Sequence, residues 1–169
     1  IKIHDYNRIL HDLNGISPAD FLKELEKYFL IHEKGEASYY PSQKFHISMY
    51  MDGKFYSLHV KHDLRSKEMS LDNLDHHLLD KYIFKNILKI EDPDSSELIS
   101  YVKGTSNING INLLKEKVDN GEGKVGFGIY PVSFNDMIKI SDLKLSMPPK
   151  CTFIEPKLIT ALLMYDMKP

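Results

Sequence analysis

The sequence contains a single cysteine, Cys151, so an internal disulfide is excluded. Unpaired thiols are typical of a reducing compartment, which favours a cytoplasmic protein. No stretch has the pattern of a signal peptide, and the longest apolar run, 158–165, is too short to cross a membrane. We therefore expect no association with membranes.

An excess of positive charge is also missing. The formal net charge is −2 and the isoelectric point is about 6.5, without a basic stripe along the chain. Proteins that bind the phosphate backbone of nucleic acids usually carry such an excess. The charge therefore argues against nucleic acid as a partner.

The common catalytic motifs do not occur. The chain has no Walker loop, GxSxG elbow, HExxH pair, CxxC pair or dinucleotide fingerprint. The sequence therefore specifies neither a reaction nor a cofactor, and it does not indicate an oligomeric state.

The chain contains enough apolar residues to form a hydrophobic core. Of its 169 residues, 42% are hydrophobic and 27% are charged, which predicts one folded α+β domain over 1–169. The hydrophilic stretch 61–70 is the expected flexible join, with a lobe boundary near 62–70. The chain begins at Ile1 rather than Met, which suggests a mature product or a fragment of a longer protein.

The strongest local signal is a β-hairpin. Residues 44–51 and 54–61 alternate between apolar and polar side chains around Asp52-Gly53. A two-residue loop of this kind fixes the register, so we predict an antiparallel hairpin at the centre of the sheet, with helices packed on it. The buried face of this hairpin should comprise Phe45, Ile47, Leu58 and Val60.

Hydrophobic periodicity predicts the remaining elements. We expect helices over 4–13, over 18–29 with Ser17 as N-cap, and over 70–88, 111–118 and 133–140, and strands over 98–102, 124–132, 151–154 and 158–165. In the 124–132 strand, Val125, Phe127 and Ile129 should face inward, and Gly126 and Gly128 should permit close packing on the opposite face.

The second face of the hairpin places like charges side by side. Lys44 should oppose Lys61 and His46 should oppose His59, with β-carbons roughly 4.5–5.5 Å apart. A shared metal or a bound phosphate could offset the repulsion. A solvated face, or one covered by another lobe, explains the same pattern. If the face is functional, we expect it to bind a small anion more tightly as the pH falls through about 6.5.

Asp75, His76, His77 and Asp80 form a second polar cluster at helical spacing. The cluster resembles half of a metal site, but no further ligands follow at a diagnostic spacing. We interpret it as a surface helix with ordinary ion pairs and predict no metal site.

Three parts of the chain resemble the uncharacterised family DUF1015. Segment 145–158, LSMPPKCTFIEPKL, resembles its closing signature, with Cys151 and Phe153 where the family commonly has Ser and Trp, and segment 128–137, GIYPVSFNDM, resembles the stretch before that signature. Segments 5–8, DYNR, and 12–15, DLNG, with Phe21 and Leu22, resemble its central part. The resemblance implies that this chain is the C-terminal part of a longer protein. Some members are labelled ParB-like, after a superfamily that includes free-serine kinases, and some lie near serine-biosynthesis genes, which implies phospho-metabolite chemistry.

The proline-rich segment 145–158 holds Lys150, Glu155 and Lys157 on a restricted backbone. The lysines could bind phosphate or carboxylate, and Glu155 could act as a base. A rigid structural crossing, with Glu155 paired to one lysine, explains the segment equally well. Tyr130 precedes the N-cap Ser133, at a strand-to-helix turn of the kind that meets anions, although simple packing of the ring is the alternative. We expect Tyr130 near these three side chains.

Three further residues complete the candidates. Asn7 and Arg8 could reach a ligand that is bound mainly by the missing portion, or they could form an ordinary surface or interlobe pair. Cys151 lies in an apolar context and should be a small buried residue.

Two functions are compatible with these observations. The first is an enzyme or enzyme subdomain that binds a small anionic metabolite, for example a phosphorylated amino acid. The second is a non-catalytic regulatory or protein-interaction domain of the ParB-like kind. For the first, the candidate catalytic residues are Glu155, Lys150, His46 and His59, and the candidate ligand-binding residues are Lys157, Tyr130, Lys44, Lys61, Arg8 and Asn7.

Overall fold

The computed structural model describes residues 2–156 and has the predicted α+β architecture. A six-stranded antiparallel sheet has the order β3-β5-β4-β7-β2-β6, and a separate two-stranded sheet pairs β1 with β8. The strands are β1 Lys2–His4, β2 Tyr6–Leu10, β3 Phe29–Gly35, β4 His46–Met51, β5 Lys54–Val60, β6 Ile99–Lys103, β7 Val125–Ile129 and β8 Phe153–Glu155. The predicted strand 158–165 and the candidate Lys157 lie outside the described residues.

Four α-helices and one π-helix accompany the sheet. The α-helices are α1 Pro18–Leu25, α2 Asp75–Leu78, α3 Ile108–Asp119 and α4 Phe134–Asp142, and the π-helix Leu79–Ile87 continues directly from α2. Short 3₁₀ turns at His62–Leu64 and Leu71–Asn73 precede α2. No helix within residues 2–156 is both long enough and apolar enough to cross a membrane.

The predicted hairpin is confirmed in its register. Ile47 pairs with Leu58, Met49 with Tyr56, and Met51 with Lys54 across the turn. Asp52 and Gly53 both adopt positive φ, 49° and 79°, which is what a two-residue type I′ turn requires of its central positions. The turn chemistry therefore sets which side chains of β4 and β5 face each core.

Both faces of the six-stranded sheet are covered, which gives two apolar cores. The larger core packs α1 and the π-helix on one face, where Phe84 meets Phe127 edge-on with ring centroids 5.8 Å apart. The smaller core packs α3 on the opposite face, through Ile111 and Leu114. Strands β4, β7 and β2 thus carry buried side chains on both faces.

The predicted helix over 4–13 is wrong, because this segment forms β1 and β2. Strand β2 is buried on both faces, so Ile9 and Leu10 are adjacent apolar residues that belong to different cores. Adjacent apolar residues break the two-residue alternation and imitate helical spacing. The helix predicted over 18–29 ends at Leu25, and Phe29 begins β3 instead.

Most other elements are confirmed with shifted ends. Ser17 caps α1 by accepting a hydrogen bond from the Asp20 amide, and Ser133 caps α4 in the same way from Asp136. The strand predicted over 98–102 is β6, and the strand over 124–132 is β7 with its predicted inward face. The predicted helix over 70–88 is divided into a 3₁₀ turn, α2 and the π-helix.

Glycine on β7 decides how closely α3 can approach the sheet. A β-carbon built on Gly128 would lie 2.2 Å from Cδ1 of Ile111 and 3.2 Å from Cβ of Ser48. The predicted close packing on this face is therefore confirmed, because α3 occupies the space that a side chain would need.

This contact gives a test of the two-core architecture. Gly128→Ala should lower the free energy of unfolding by about 1–3 kcal/mol through overpacking. Ile111→Val removes the Cδ1 atom that the new methyl would meet and should by itself cost about 0.5–1.5 kcal/mol. The double variant should be less destabilised than the sum of the two, measured by urea denaturation. Strict additivity would contradict the contact.

Candidate functional site

The candidate residues gather at one end of the six-stranded sheet. Because neighbouring strands are antiparallel, β2 begins where β7 ends and β4 begins, so Asn7, Tyr130 and His46 share this end. Strands lie about 4.8 Å apart, so six of them span about 24 Å, too wide for one small ligand. The polar residues at this end of the sheet therefore form several separate clusters.

The predicted histidine pair is confirmed. His46 and His59 are cross-strand partners whose rings stack with centroids 3.7 Å apart and planes 9° from parallel. Parallel rings face each other with their flat sides, which does not direct two nitrogens at a shared metal. Among the described residues, no group of three or more His, Cys, Asp or Glu side chains could hold a metal ion.

The histidine pair gains charge as the pH falls, as expected, but it does so below the expected pH of about 6.5. Burial, together with the neighbouring charge of His46, lowers the pKa of His59 to about 4, and burial also lowers the pKa of His46. Both rings are therefore neutral at the pH where the anion was expected to bind. Ser57 Oγ lies 2.6 Å from His59 Nε2 and gives this ring a polar partner inside the protein.

The predicted pairing of Lys44 with Lys61 is also wrong. The ladder of β4 and β5 ends at His46 and His59, and Phe45 turns the chain away with φ of 68°. Lys44 instead donates to Asp136 at 2.8 Å, so its charge is already paired. The interpretation of this face as solvated fails farther along the hairpin, because Ser48 and Ser57 are fully buried under the second core.

Tyr130 and Lys44 line a small, partly open cavity beside the starts of α2 and α4. Its volume is about 30 Å³, enough for about two water molecules and too small for a metabolite. Asp75 also lines this cavity. Its Oδ1 accepts a 2.7 Å hydrogen bond from the Phe45 amide, while its Oδ2 is buried without a partner. Burial raises the pKa of Asp75 to about 7.

The interpretation of 75–80 as a surface helix is wrong. Asp75 and His76 are only 4% and 2% exposed, because α2 presents them to the sheet. His77 and Asp72 form the solvent-side ion pair, with 3.3 Å between Nε2 and Oδ1. Helical spacing alone cannot tell which side of the helix the protein covers.

Arg8 is the centre of a buried polar cluster on the π-helix side of β2. Its side chain has no exposed surface, its Nη1 donates to the Tyr6 carbonyl at 2.7 Å, and its guanidinium lies 4.3 Å from the Tyr101 ring centroid. Among residues 2–156, its Nε and Nη2 have no hydrogen-bond partner, and neither do Nε2 of His76 and Oδ1 of Asp80. We call Arg8, His76, Asp80 and Tyr101 the Arg8 cluster.

The charges in this cluster influence each other without direct contact. Burial raises the pKa of Asp80 to about 6, although the Arg8 charge opposes this shift. Burial lowers the pKa of His76 to about 3, and the Arg8 charge adds to the effect. Within residues 2–156, Arg8 forms no ion pair within 4 Å, so Asp80 acts on it without direct contact.

Asn7 belongs to the opposite face of the sheet. Its Oδ1 accepts a 3.1 Å hydrogen bond from the Ile129 amide, and its Nδ2 is buried without a partner. Asp5 accepts from the Ser106 amide at 2.9 Å through Oδ1, while its Oδ2 and the Tyr40 hydroxyl have none. Asn7 and Arg8 are therefore interior residues that serve different faces, not a surface pair.

An open groove runs along the edge strand β6 and has a volume of about 550 Å³. Lys150 Nζ lies 4.1 Å from the Tyr101 ring centroid, and Lys103 Nζ lies 4.5 Å from that of Phe153. Both lysines are exposed, and neither forms an ion pair in the described part of the chain. The groove is lined by Tyr6, Asp94, Ser95, Ser96, Glu97, Ile99, Ser100, Tyr101, Lys103 and Lys150.

The predicted grouping of Tyr130 with Lys150 and Glu155 does not form. Lys150 lines the groove, Tyr130 lines the small cavity, and Glu155 pairs across β1 and β8. Glu155 Oε2 lies 3.2 Å from His4 Nε2, so its partner among the described residues is a histidine rather than the expected lysine. The sequence predictions missed Tyr101, Asp5 and Tyr40, whose positions follow only from strand pairing and loop packing.

Comparison with known proteins confirms the family resemblance for the first part of the chain. A family model described as "Protein of unknown function (DUF1015)" matches residues 1–77, which confirms the predicted resemblance for that range. The matched range contains Asn7 and Arg8, and segment 145–158 lies outside it. No curated protein matches the sequence.

Two solved structures share the fold, and both are mutant forms of a free serine kinase in complex with AMP. Their TM-scores are 0.53 and 0.50, each at 13% sequence identity and over 90% of this chain. This chain spans about half of those kinases, because the alignment covers 53% of their length. At this identity the likeness establishes a common fold.

The buried carboxyl of Asp75 makes a testable contribution to stability. Its folded pKa of about 7 exceeds the ordinary value of 3.8, so the folded state binds the extra proton between these values. Stability from this group is therefore complete at low pH and is lost as the pH rises through 7. Asp75→Asn keeps the acceptor for the Phe45 amide and removes the titration.

The free energy of unfolding of Asp75→Asn, relative to the unchanged protein, should rise by more than about 1 kcal/mol between pH 5 and pH 8. Urea denaturation at both pH values measures this difference, and Asp142→Asn, at an exposed carboxylate on α4, is the control. A difference that does not change with pH would show that Asp75 is ionised in the folded state at both.

Proposed function

We propose that this chain forms part of an enzyme that binds a small phosphorylated metabolite, and that the groove along β6 is its binding site. The observation that carries the proposal is that Lys103 and Lys150, which form no ion pair within residues 2–156, line a groove of metabolite size. Pockets for small ligands typically measure about 300–1,000 Å³ and combine apolar walls with a few charged groups. The small cavity at Tyr130 and the stacked histidines do not meet this requirement.

The charges in the groove suit a phosphate group. The ammonium groups of Lys103 and Lys150 are both free to form charge-assisted hydrogen bonds with phosphate oxygens. Each lies over an aromatic ring, which limits the positions that its side chain can adopt and so reduces the entropy lost on binding. Asp94 and Glu97 line the same groove and would receive the donor groups of a polar ligand, such as hydroxyl or ammonium.

The fold comparison favours the same class of ligand. The two neighbours are free serine kinases in complex with AMP, so this fold occurs in a protein that binds a phosphorylated small molecule. On that basis we propose phosphoryl transfer involving serine as the reaction. The role that falls to this chain is to hold the phosphate and offset its charge through Lys103 and Lys150. No observation favours the alternative of a non-catalytic ParB-like domain.

Isothermal titration with matched ligands tests the proposal. O-phosphoserine and AMP should bind measurably, while serine and adenosine, which lack the phosphate, should bind more weakly. Lys103→Ala and Lys150→Ala should each weaken binding of the phosphorylated ligands about tenfold or more, since a hydrogen bond to a charged group contributes about 1.5–3 kcal/mol. The double variant should lose the binding.

Lys139→Ala is the matched control, because Lys139 is exposed on α4, does not line the groove and forms no ion pair within residues 2–156. It should leave every affinity unchanged. Equal binding of phosphorylated and unphosphorylated ligands, or equal effects of Lys139→Ala and Lys150→Ala, would refute the proposed site. None of these exposed lysines supports the core, so all variants should keep the thermal stability of the unchanged protein.

A further inference from the structure

A second pocket lies where the chain leaves β5, on residues that the proposed function does not use. Its volume is about 670 Å³, which is within the range of sites for small ligands. It is lined by Phe45, His62, Asp63, Arg65, Ser66 and Lys67. We call it the Arg65 pocket, and it shares no lining residue with the groove along β6.

The guanidinium of Arg65 is held in a fixed position at this pocket. Its Nε and Nη2 donate to the Val60 carbonyl at 2.9 and 2.7 Å, and its central carbon lies 4.9 Å from the centroid of the Phe45 ring. The two hydrogen bonds use one edge of the guanidinium. The other edge, formed by Nη1 and the second hydrogen of Nη2, is used by neither bond. Such an edge can bind both oxygens of a carboxylate in parallel.

Phe45 supplies the apolar wall of the pocket. Its backbone has φ of 68°, which bulky residues rarely adopt. Two contacts hold it there, since its amide donates to Asp75 Oδ1 at 2.7 Å and its carbonyl accepts from the Val60 amide at 3.0 Å. The residue is half-buried, so part of its surface is open to the pocket. Backbone held in this way is common at ligand sites.

The charges in the pocket suit an anion with a single negative charge. Arg65 and Lys67 are cations and Asp63 is an anion, which leaves a formal charge of +1 on these three residues. Neither cation forms an ion pair within residues 2–156. A monocarboxylate balances this charge, whereas a phosphate monoester, with a charge of about −1.5 to −2 at pH 7, exceeds it.

We propose that the Arg65 pocket is a binding site for an aromatic monocarboxylate. The carboxylate would take the free edge of Arg65, with Lys67 adding a second positive charge. The ring of the ligand would lie against Phe45, because flat rings pack well on aromatic and guanidinium groups. This site lies apart from the groove and does not depend on the proposed function.

His46 reports on the charge of Arg65 without belonging to the pocket. Burial lowers the pKa of His46, and the Arg65 charge lowers it further. His32 and Lys34 act in the same direction from β3, and the ring of His59 stacks on it from β5. A bound carboxylate would offset the Arg65 charge, so occupation of the pocket should raise the pKa of His46.

The site is tested with small molecules that carry its features separately. Benzoate has a ring and a carboxylate, acetate lacks the ring, and benzyl alcohol lacks the charge. Titration followed by NMR should show benzoate binding about tenfold or more tightly than either partial ligand, because each of these loses one set of contacts. Phenyl phosphate should bind more weakly than benzoate. In the unchanged protein, saturating benzoate should raise the pKa of His46.

Substitutions in the pocket separate its charge from its geometry. Arg65→Lys keeps the charge but loses the parallel donors, so it should weaken benzoate and acetate about tenfold or more and leave benzyl alcohol unchanged. Lys67→Gln should weaken benzoate by less, about two- to fivefold, because exposed charge pairs contribute little. Lys139→Gln, at an exposed lysine that does not line the pocket, should change nothing. Thermal melting establishes whether each variant folds. If Arg65→Lys does not fold, Lys67→Gln and the pKa of His46 decide the question.

Two outcomes would overturn the Arg65 pocket. One is equal binding of benzoate, acetate and benzyl alcohol, and the other is benzoate binding that leaves the pKa of His46 unchanged. Lys103→Ala and Lys150→Ala should keep the affinity for benzoate, and a loss there would place benzoate in the groove instead. If benzoate bound as expected while O-phosphoserine and AMP did not bind, the pocket would stand and the proposed groove would fail.

Discussion

The structure depends on one constraint, which is that its six-stranded sheet is covered by helices on both faces. Strands with two buried faces must supply side chains to two cores, so β4, β7 and β2 contain little exposed surface. Glycine on β7 brings α3 close enough to complete the second core. Polar side chains on these strands can therefore contact solvent only at the ends of the strands. Their partners must be other protein groups, water or a ligand.

This constraint explains why the polar end of the sheet contains so many unsatisfied atoms. Within residues 2–156, buried atoms without a partner belong to Arg8, His76 and Asp80 on the π-helix side and to Asp5, Asn7 and Tyr40 on the side of α3. Each buried polar atom without a partner costs about 1–3 kcal/mol, more if it is charged. A fold that retains several of them at one place gives up stability there, and such places are commonly functional.

The hairpin and the starts of two helices could be predicted because a few neighbouring residues determine each of them. Asp52-Gly53 permits one tight turn, and that turn fixes every pair of the β4–β5 ladder, including His46 with His59. The caps at Ser17 and Ser133 also depend only on residues within the first turn of each helix. Strand β2 was not predictable in this way, because burial on both faces removes the alternation by which a strand is recognised.

The candidate site was harder to predict because it depends on which faces of the helices and strands pack against each other. The spacing of His76 and Asp80 was correctly assigned to a helix, but nothing in that spacing tells whether the sheet covers this side. Pairing Lys44 with Lys61 extends the hairpin ladder two pairs too far, past the point where Phe45 turns the chain. Arg8 was identified as a candidate, but its partner ring, Tyr101, comes from β6, more than ninety residues along the chain.

Tyr101 connects the exposed groove with the buried polar cluster at Arg8. Strand β6 is the edge of the sheet, so one side of this residue faces the open groove while its ring also contacts the interior cation Arg8. Lys150 approaches the same ring from the segment that contains Cys151. The Tyr101 ring therefore lies between the exposed groove and the interior of the protein, because one cation approaches it from each of these regions.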